Sequence, residues 1–596
     1  MNAAELRARG NAALGQGDLD EARRCYREAT KADPKDPLAW LNLGFASVEA
    51  AQWSEARQCL DRAIALSRAG EDYLPDAYYL RGQAKQAEGD AAGALPDFEA
   101  ALAARADFAE PMESAAQASL DLGRFDEALA WTRRAVRIRP NPQTDVVAAQ
   151  ALDKLGRPAE ALQAIEAALA RDPSFASAIE GRGVMLLKLG RHAEALAQFE
   201  RIRALEGESA SRLSNIAVAL QRLGRLEEAV GFARRAFALA PDGRDEAYNL
   251  AAILLEMLRT DEAMPILLRA AARYPADADI GWNLAIGHLL RGELLEGFAA
   301  YEHRFLCDAF GWRKPAPDFG RPRWNGRQSL KGKSILLFAE QGLGDSIQLL
   351  RYVPLVAAQA SLVLLRLPPA LAPLLKGLPA HCRWVPESEP APRTDFQSPI
   401  MSLPHAFSTT LATLPANVPY LSADGSRVDA WRERLRELAG TPKVGIVWSG
   451  SLLHPNDRNR SIPLEAFRRV AAPGIGFASL QLEVRERDRA AYEAWSGLAR
   501  FGEELRDFAD TAALLSALDL VVTVDTSVAH LAGALGKPVW VLLPHYPDWR
   551  WMLDRDDSPW YPTARLWRQP KPGDWISVLD AVRAGLERVK GIEPSS

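Results

Sequence analysis

A chain of 596 residues is too long for a single hydrophobic core and implies three or more domains. With 48% apolar and 25% charged residues its composition is that of an ordinary globular protein, and a formal net charge of −5 gives no support to nucleic-acid binding by bulk charge. Cys25, Cys59, Cys307 and Cys382 lack metal or redox spacing, no run approaches the length of a membrane span, and the charged start Met1-Asn-Ala-Ala-Glu has no apolar leader segment. These features predict a cytoplasmic protein in a reducing compartment.

The first half is an array. Gly10, Gly17, Ala22, Tyr26, Ala29 and Pro34 occupy the small and aromatic positions of a 34-residue helix–turn–helix unit. The same phase returns at Gly82, Gly89, Ala94 and Phe98, at Gly183, Gly190, Ala195 and Phe199, and in a ninth copy at Ala285, Gly292, Gly297 and Tyr301. This resembles the tetratricopeptide repeat family over residues 3 to 312 and predicts an α-solenoid, a superhelix in which each hairpin covers its neighbour's apolar face. Asn42, Asn215, Asn249 and Asn283 all fall two residues before the small residue of a first helix. An amide both donates to and accepts from a peptide backbone, so this ladder is a candidate for holding an extended acceptor chain; solvent-facing asparagines are the alternative. A similar asparagine ladder is a feature of O-linked N-acetylglucosamine transferase.

From Phe310 to Lys333 the helical period breaks at Pro315, Pro317, Gly320, Pro322, Gly326 and Gly332. Residues 313–332 read as a linker, and Trp312 and Trp324 are expected to pin it as a fixed joint.

The second half alternates strand and helix signals. Ser334–Phe338 reads as a buried strand, followed by Glu340-Gln341-Gly342-Leu343-Gly344-Asp345 and a helical pattern. The Gly-x-Gly turn permits close ligand approach but lacks the third glycine of a dinucleotide fingerprint, and there is no Walker motif. A second lobe starts at Lys443-Val-Gly-Ile-Val. Its Leu520–Val524 run is followed by Asp525, Thr526 and Ser527, either hydroxyl residue able to cap the helix that Val528 begins. Such a turn attracts phosphate, and His530 shares a helical face with Thr526. A capped turn without ligand is the alternative.

Three stretches carry a further resemblance: Gly342-Leu-Gly344-Asp345 with Arg351 and Pro354; Asn456-Asp457-Arg458-Asn459-Arg460-Ser461-Ile462-Pro463; and Asp525-Thr526-Ser527-x-x-His530-Leu531-Ala532-Gly533-Ala534 with Lys537-Pro538. Residues 333 to about 590 resemble the heptosyltransferase family, glycosyltransferase family 9. The resemblance implies a GT-B fold of two Rossmann-like lobes, here 333–440 on the acceptor side and 441–596 on the nucleotide-sugar side. Repeats plus such a domain also resemble bacterial repeat-containing glycosyltransferases, including those that decorate flagellin.

The implied roles follow residue by residue. Asp345 matches the general base that deprotonates the acceptor hydroxyl, an ordinary helix cap being the alternative; Glu340 is a rival base and Gln341 an acceptor-orienting group. Arg460, with Arg458 beside it, would meet the charge growing on the leaving diphosphate, with Asp457 steadying them. Asp525, Thr526, Ser527 and His530 would hold the phosphates or a donor hydroxyl, although family members often carry glycine where Ser527 stands. Gln481 would border the nucleotide. Asp548, Trp549 and Arg550 are further donor-side candidates, while the tail tryptophans read chiefly as loop anchors. Asp554-Arg-Asp556 reads as surface. The resulting expectation is a metal-independent, inverting transferase, without cofactor, moving sugar from a nucleotide donor to a protein, flagellin being a candidate acceptor. The rival expectations are a lipopolysaccharide or glycan transferase that uses its repeats for assembly, and an inactive scaffold.

Overall fold

The computed structural model describes residues 1–306, 317–454 and 456–589. Cys307, Trp312 and Pro315 lie outside them. The chain divides into two compact units, Met1–Pro241 and Asp242–Ser596.

Among the described residues of the first unit run fourteen helices, from α1 (Ala3–Gly15) and α2 (Leu19–Ala32) to α13 (Ala210–Arg222) and α14 (Leu226–Leu239). Each first helix ends on a left-handed residue that closes the turn, glycine at Gly17, Gly123, Gly156, Gly190 and Gly224. Ala51 takes the same conformation at φ 53° without that freedom. The glycine-to-aromatic spacing in the sequence has a steric cause: a Cβ on Gly10, Gly82 or Gly183 would overlap the ring of Tyr26, Phe98 or Phe199. Alanines such as Ala22, Ala29, Ala56 and Ala63 are fully buried in the seams between helices. Within one hairpin after another an arginine at the end of the second helix pairs with an acid of the first, as in Arg105–Asp76 at 2.9 Å, Arg139–Glu113 at 2.8 Å and Arg171–Asp145 at 2.8 Å.

The second unit opens with two more helical hairpins, α15 (Arg244–Glu256) with α16 (Thr260–Arg273), and α17 (Ala278–Leu290) with α18 (Leu294–Tyr301), then a 3-10 turn at Glu302–Leu306. Its first sheet contains β1 (Ser334–Phe338), β2 (Leu362–Arg366), β3 (Cys382–Trp384) and β4 (Phe396–Pro399), all parallel, in the order β3-β2-β1-β4. Helix α19 (Leu343–Leu349) follows β1, and α20 (Gly425–Arg436) precedes the second sheet. That sheet holds β5 (Lys443–Val447), β6 (Gly476–Ser479), β7 (Leu498–Arg500), β8 (Leu520–Val524), β9 (Val539–Leu543) and β10 (Ala564–Arg568). These six strands are parallel, in the order β10-β9-β8-β5-β6-β7. Helix α21 (Phe508–Ala517) leads into β8, α22 (Ser527–Ala534) leaves it, and α23 (Trp575–Val589) comes last.

These are Rossmann-like α/β lobes, and their strand order locates the site. Strand order reverses beside β1 and β4 in the first sheet, and beside β5 and β8 in the second. Ligands of such sheets bind beyond the carboxyl ends of the strands at that reversal. The loops at Glu340, Trp448 and Asp525 leave those ends.

The sequence pattern places all nine repeats in one block, whereas α15–α18 group with the lobes. One continuous core is the reason. Leu289, Leu294, Phe298 and Tyr301 are buried with Ile335, Leu337 and Ile347 of the first lobe and Trp549, Trp551 and Trp560 of the second. Trp324 is also in this core, its indole N–H donating to the Gln328 carbonyl.

Candidate functional site

Asp345 is the third residue of α19. Its Oδ2 accepts the Gly342 N–H at 2.7 Å, tying its carboxylate to the N-cap residue, and its Oδ1 takes an ion pair from Arg550 Nη2. Arg550 sits in the turn after Asp548 and is buried. Its other nitrogens donate to Asp548 Oδ1 at 2.7 Å and Gln348 Oε1 at 2.8 Å, and its guanidinium lies 4.2 Å over the Trp549 ring. The flanking carboxylates Asp345 and Asp548 hold the Arg550 guanidinium above its ordinary range against its burial, while Arg550 outweighs burial to hold the Asp548 carboxyl below its own.

Across the crevice, β8 ends at Val524. Thr526 is the extended N-cap of α22, with φ −144°. The helix starts at Ser527, one residue earlier than the sequence suggests, and no side-chain hydroxyl caps it: Thr526 Oγ1 meets Thr523 Oγ1 at 3.2 Å instead. Asp525 is half-buried, and burial together with nearby Asp548 pushes its carboxyl up to about 6 against the pull of Arg460.

His530 is buried. Its Nδ1 meets the Tyr561 hydroxyl at 3.0 Å, and its ring stacks on Trp551 with centroids 5.4 Å apart. Burial and the cationic Arg550 push it down to about 3, so the imidazole is neutral at physiological pH. It supplies a neutral polar edge to the site and no positive charge. A Cβ added to Gly344 would lie 2.8 Å from His530 Cδ2. The second glycine of the first-lobe turn is thus required by close approach to α22.

Arg460 ends a one-turn helix at Asp457–Arg460 and is buried. Its Nη1 donates to the Asp525 carbonyl at 2.7 Å, while its Nε is buried with no partner among the described residues. A Cβ on Gly450 would approach Nη2 to 2.5 Å, so this guanidinium lies flat on the loop leaving β5. It bridges the ends of β5 and β8 and keeps donor capacity to spare.

The remaining expected residues are dispersed. Arg458 and His454 are exposed. Asp457 steadies Arg485 at 2.7 Å and accepts the Ser461 hydroxyl at 2.6 Å, with Arg460 Nε only at 3.9 Å. Gln481 stands at the end of β6, but its amide is used up by the backbone. Its Oε1 accepts from Trp448 and Ser449 at 3.3 Å, and its Nε2 donates to the Ser449 and Glu483 carbonyls. The Gln481 amide thus braces the β5 loop. Glu340 is buried in an ion pair with Arg304 at 2.9 Å, so it is withheld from an acceptor hydroxyl. Gln341 pairs through its amide with the Tyr301 hydroxyl at 2.9 Å.

Asn42 and Asn215 belong to the first unit, Asn249 and Asn283 to the second. Asn42 donates to Asn11 Oδ1 at 3.2 Å; Asn283 Nδ2 is buried without a partner among the described residues. Trp549, Trp551 and Trp560 are anchors, each nearly or fully buried. Arg304 and Gln348 carry no local signal in the sequence, Tyr301 shows there only as a repeat aromatic, and the pairing of Arg550 with Asp345 joins residues 205 apart. Among the described residues no group of three His, Cys, Asp or Glu has metal-holding geometry, and no helix is long and apolar enough to cross a membrane.

Family models match the repeats and one stretch of the second sheet. Tetratricopeptide repeat models match residues 7–73, 79–141, 146–211 and 209–240. The model of glycosyltransferase family 9 (heptosyltransferase) matches residues 506–543, which span α21, β8, α22 and β9 with Asp525 and His530. Protein FlbA of Caulobacter vibrioides is 29% identical over 324 residues, covering 50% of this chain and 53% of that protein. The chain therefore spans about half the length of the curated relative it matches. Among solved structures, MamA is similar over 29% of this chain and 92% of its own, at 22% identity and TM-score 0.27. A tetratricopeptide repeat protein from Parabacteroides merdae is similar over 42% and 98%, at 16% identity and TM-score 0.34.

Proposed function

We propose that the chain is a GT-B glycosyltransferase that moves a sugar from a nucleotide-sugar donor to a protein acceptor held by its repeats. The observation that carries this reading is the meeting of the β1 and β8 loops within one compact unit: Asp345 pairs with Arg550, Gly344 abuts His530, and Arg460 binds the Asp525 carbonyl. The family 9 match falls on the same turn.

The donor diphosphate sits on the start of α22, where free backbone N–H groups and the helix dipole favour an anion. Arg460 brings its guanidinium charge to the phosphate as charge grows there, which stabilises the transition state more than the ground state. The acceptor oxygen attacks the anomeric carbon, its proton passes to Asp345, and the carbon–oxygen bond to the phosphate breaks with its electron pair leaving on the diphosphate. Arg550, fixed between Asp345 and Asp548, sets the distance from base to donor. Inversion and independence of metal are carried over from the family resemblance, and flagellin as candidate acceptor from the combination of repeats with such a domain. The asparagines of the repeats hold the acceptor backbone.

Titration calorimetry with a panel of sugar nucleotides tests the reading. Saturable binding that is weakened at least tenfold in Arg460→Ala is expected; no association with any of them removes the proposal.

A further inference from the structure

We infer that the last repeat is part of the catalytic apparatus, with Tyr301 and Arg304 as positioning residues that clamp both members of the Asp345–Arg550 pair; this rests on the transferase reading above. The base stands at the end of a loop weakened by two glycines, Gly342 and Gly344. Successive residues of that loop are held from outside it. Arg304 Nε donates to Glu340 Oε1 at 2.9 Å, and Gln341 Nε2 donates to the Tyr301 hydroxyl at 2.9 Å.

Arg304 is itself fixed on every side. It donates to Glu302 at 2.5 Å, to the Tyr301 carbonyl at 3.1 Å and to the Ser402 hydroxyl at 2.6 Å, and it lies 4.0 Å over the Phe305 ring. Ser402 follows β4, so this one guanidinium ties the two loops that flank the strand reversal of the first sheet.

A second arm reaches Arg550. Phe298 meets Trp549 edge to face with centroids 5.6 Å apart, Tyr301 meets the same indole at 6.1 Å, and Trp549 supports the Arg550 guanidinium. Tyr301 therefore touches both arms.

The chemistry of the Arg304 site argues for placement over stability. Glu340 is nearly buried, its Oε2 has no partner among the described residues, and burial pushes its carboxyl up despite Arg304. A buried ion pair stabilises no better than apolar packing of the same volume, but it fixes geometry. Positional error of about 1 Å at a reacting group costs on the order of 100-fold in rate.

The test uses the full chain carrying Arg304→Met, Arg304→Lys or Tyr301→Phe. Donor affinity comes from calorimetry, turnover from release of the nucleoside diphosphate, and loop mobility from hydrogen–deuterium exchange. Arg304→Met is expected to lower kcat about 100-fold, and Tyr301→Phe about tenfold, with donor Kd within threefold of the parent; Arg304→Lys recovers part of the loss. Exchange should rise in both 340–346 and 549–552. Unchanged exchange in either segment overturns the clamp, whether or not the parent chain turns over a donor. An unchanged kcat in Tyr301→Phe and Arg304→Met, or losses in kcat and Kd that run in parallel, overturns the positioning role. Failure of the parent chain to bind any sugar nucleotide falsifies the transferase reading instead, and exchange then still decides the clamp.

Discussion

The two compact units use charge in opposite ways. In the first, ion pairs are small staples repeated from hairpin to hairpin, such as Arg139 with Glu110 and Glu113, partly exposed and individually worth little. In the second, charges from distant segments are gathered into one cluster, with Arg460 and Arg550 buried and Asp345, Asp525 and Asp548 half-buried, drawn from four loops. The first arrangement sets the regular stacking of a surface. The second costs desolvation that stability alone would not favour, which makes it the candidate place for the proposed transfer.

The sharpest way to break that contrast is Asp345→Asn, which removes the proton acceptor and leaves the Gly342 cap possible. Sugar transfer should fall by about 10² to 10⁴, with donor affinity within a few-fold. Arg460→Ala should cost about 10²-fold in transfer and weaken donor binding as well, because its charge acts on the diphosphate. Gly344→Ala forces a methyl against the His530 ring. Overpacking of that kind costs about 1–3 kcal/mol, so a lower melting temperature and a smaller drop in turnover are expected.

On the other side of the comparison stands Asp97, buried in the first unit with Arg81 at 2.9 Å and Lys85 at 2.8 Å. Asp97→Ala should destabilise by about 1–3 kcal/mol, the partly exposed cations being screened by water. Donor binding, read by calorimetry, should not change. A loss there would mean that the units do not act separately.

The smallest effect is a pH slope. Asp525 gains its proton near 6 and then no longer repels a diphosphate. Donor affinity should therefore improve a few-fold as pH falls from 8 to 5.5, and Asp525→Asn should flatten the curve. His530 titrates near 3 and contributes no slope in that window.

Legibility in the sequence followed the range of the interactions. The repeats announce themselves because a glycine at one position and an aromatic ring 16 residues later are a local steric pair, as at Gly10 and Tyr26. The strands at the switch points, Ser334–Phe338 and Leu520–Val524, are equally plain, being apolar runs covered on both faces, whereas β3, β4, β7 and β10 are short, polar or half-exposed and carry no such run. Asp345, Arg460 and the Asp525–His530 turn were recognisable as short motifs, and their loops meet in space. What the motifs did not convey is partnership. Gln481 was expected beside the nucleotide and is spent on the Trp448 and Ser449 backbone; His530 was expected to hold phosphate and is neutral between Trp551 and Tyr561. Arg550 and Arg304 acquire meaning only through partners 205 and 36 residues away. The boundary of the solenoid was obscured for the same reason, since α17 and α18 keep the repeat pattern while sharing the core of the lobes.

Intact-mass spectrometry of a co-expressed acceptor protein, flagellin first, compares the full chain with its Asp345→Asn variant. The account predicts a sugar-sized mass increment on the acceptor with the parent chain and none with the variant. The same increment with both would contradict it.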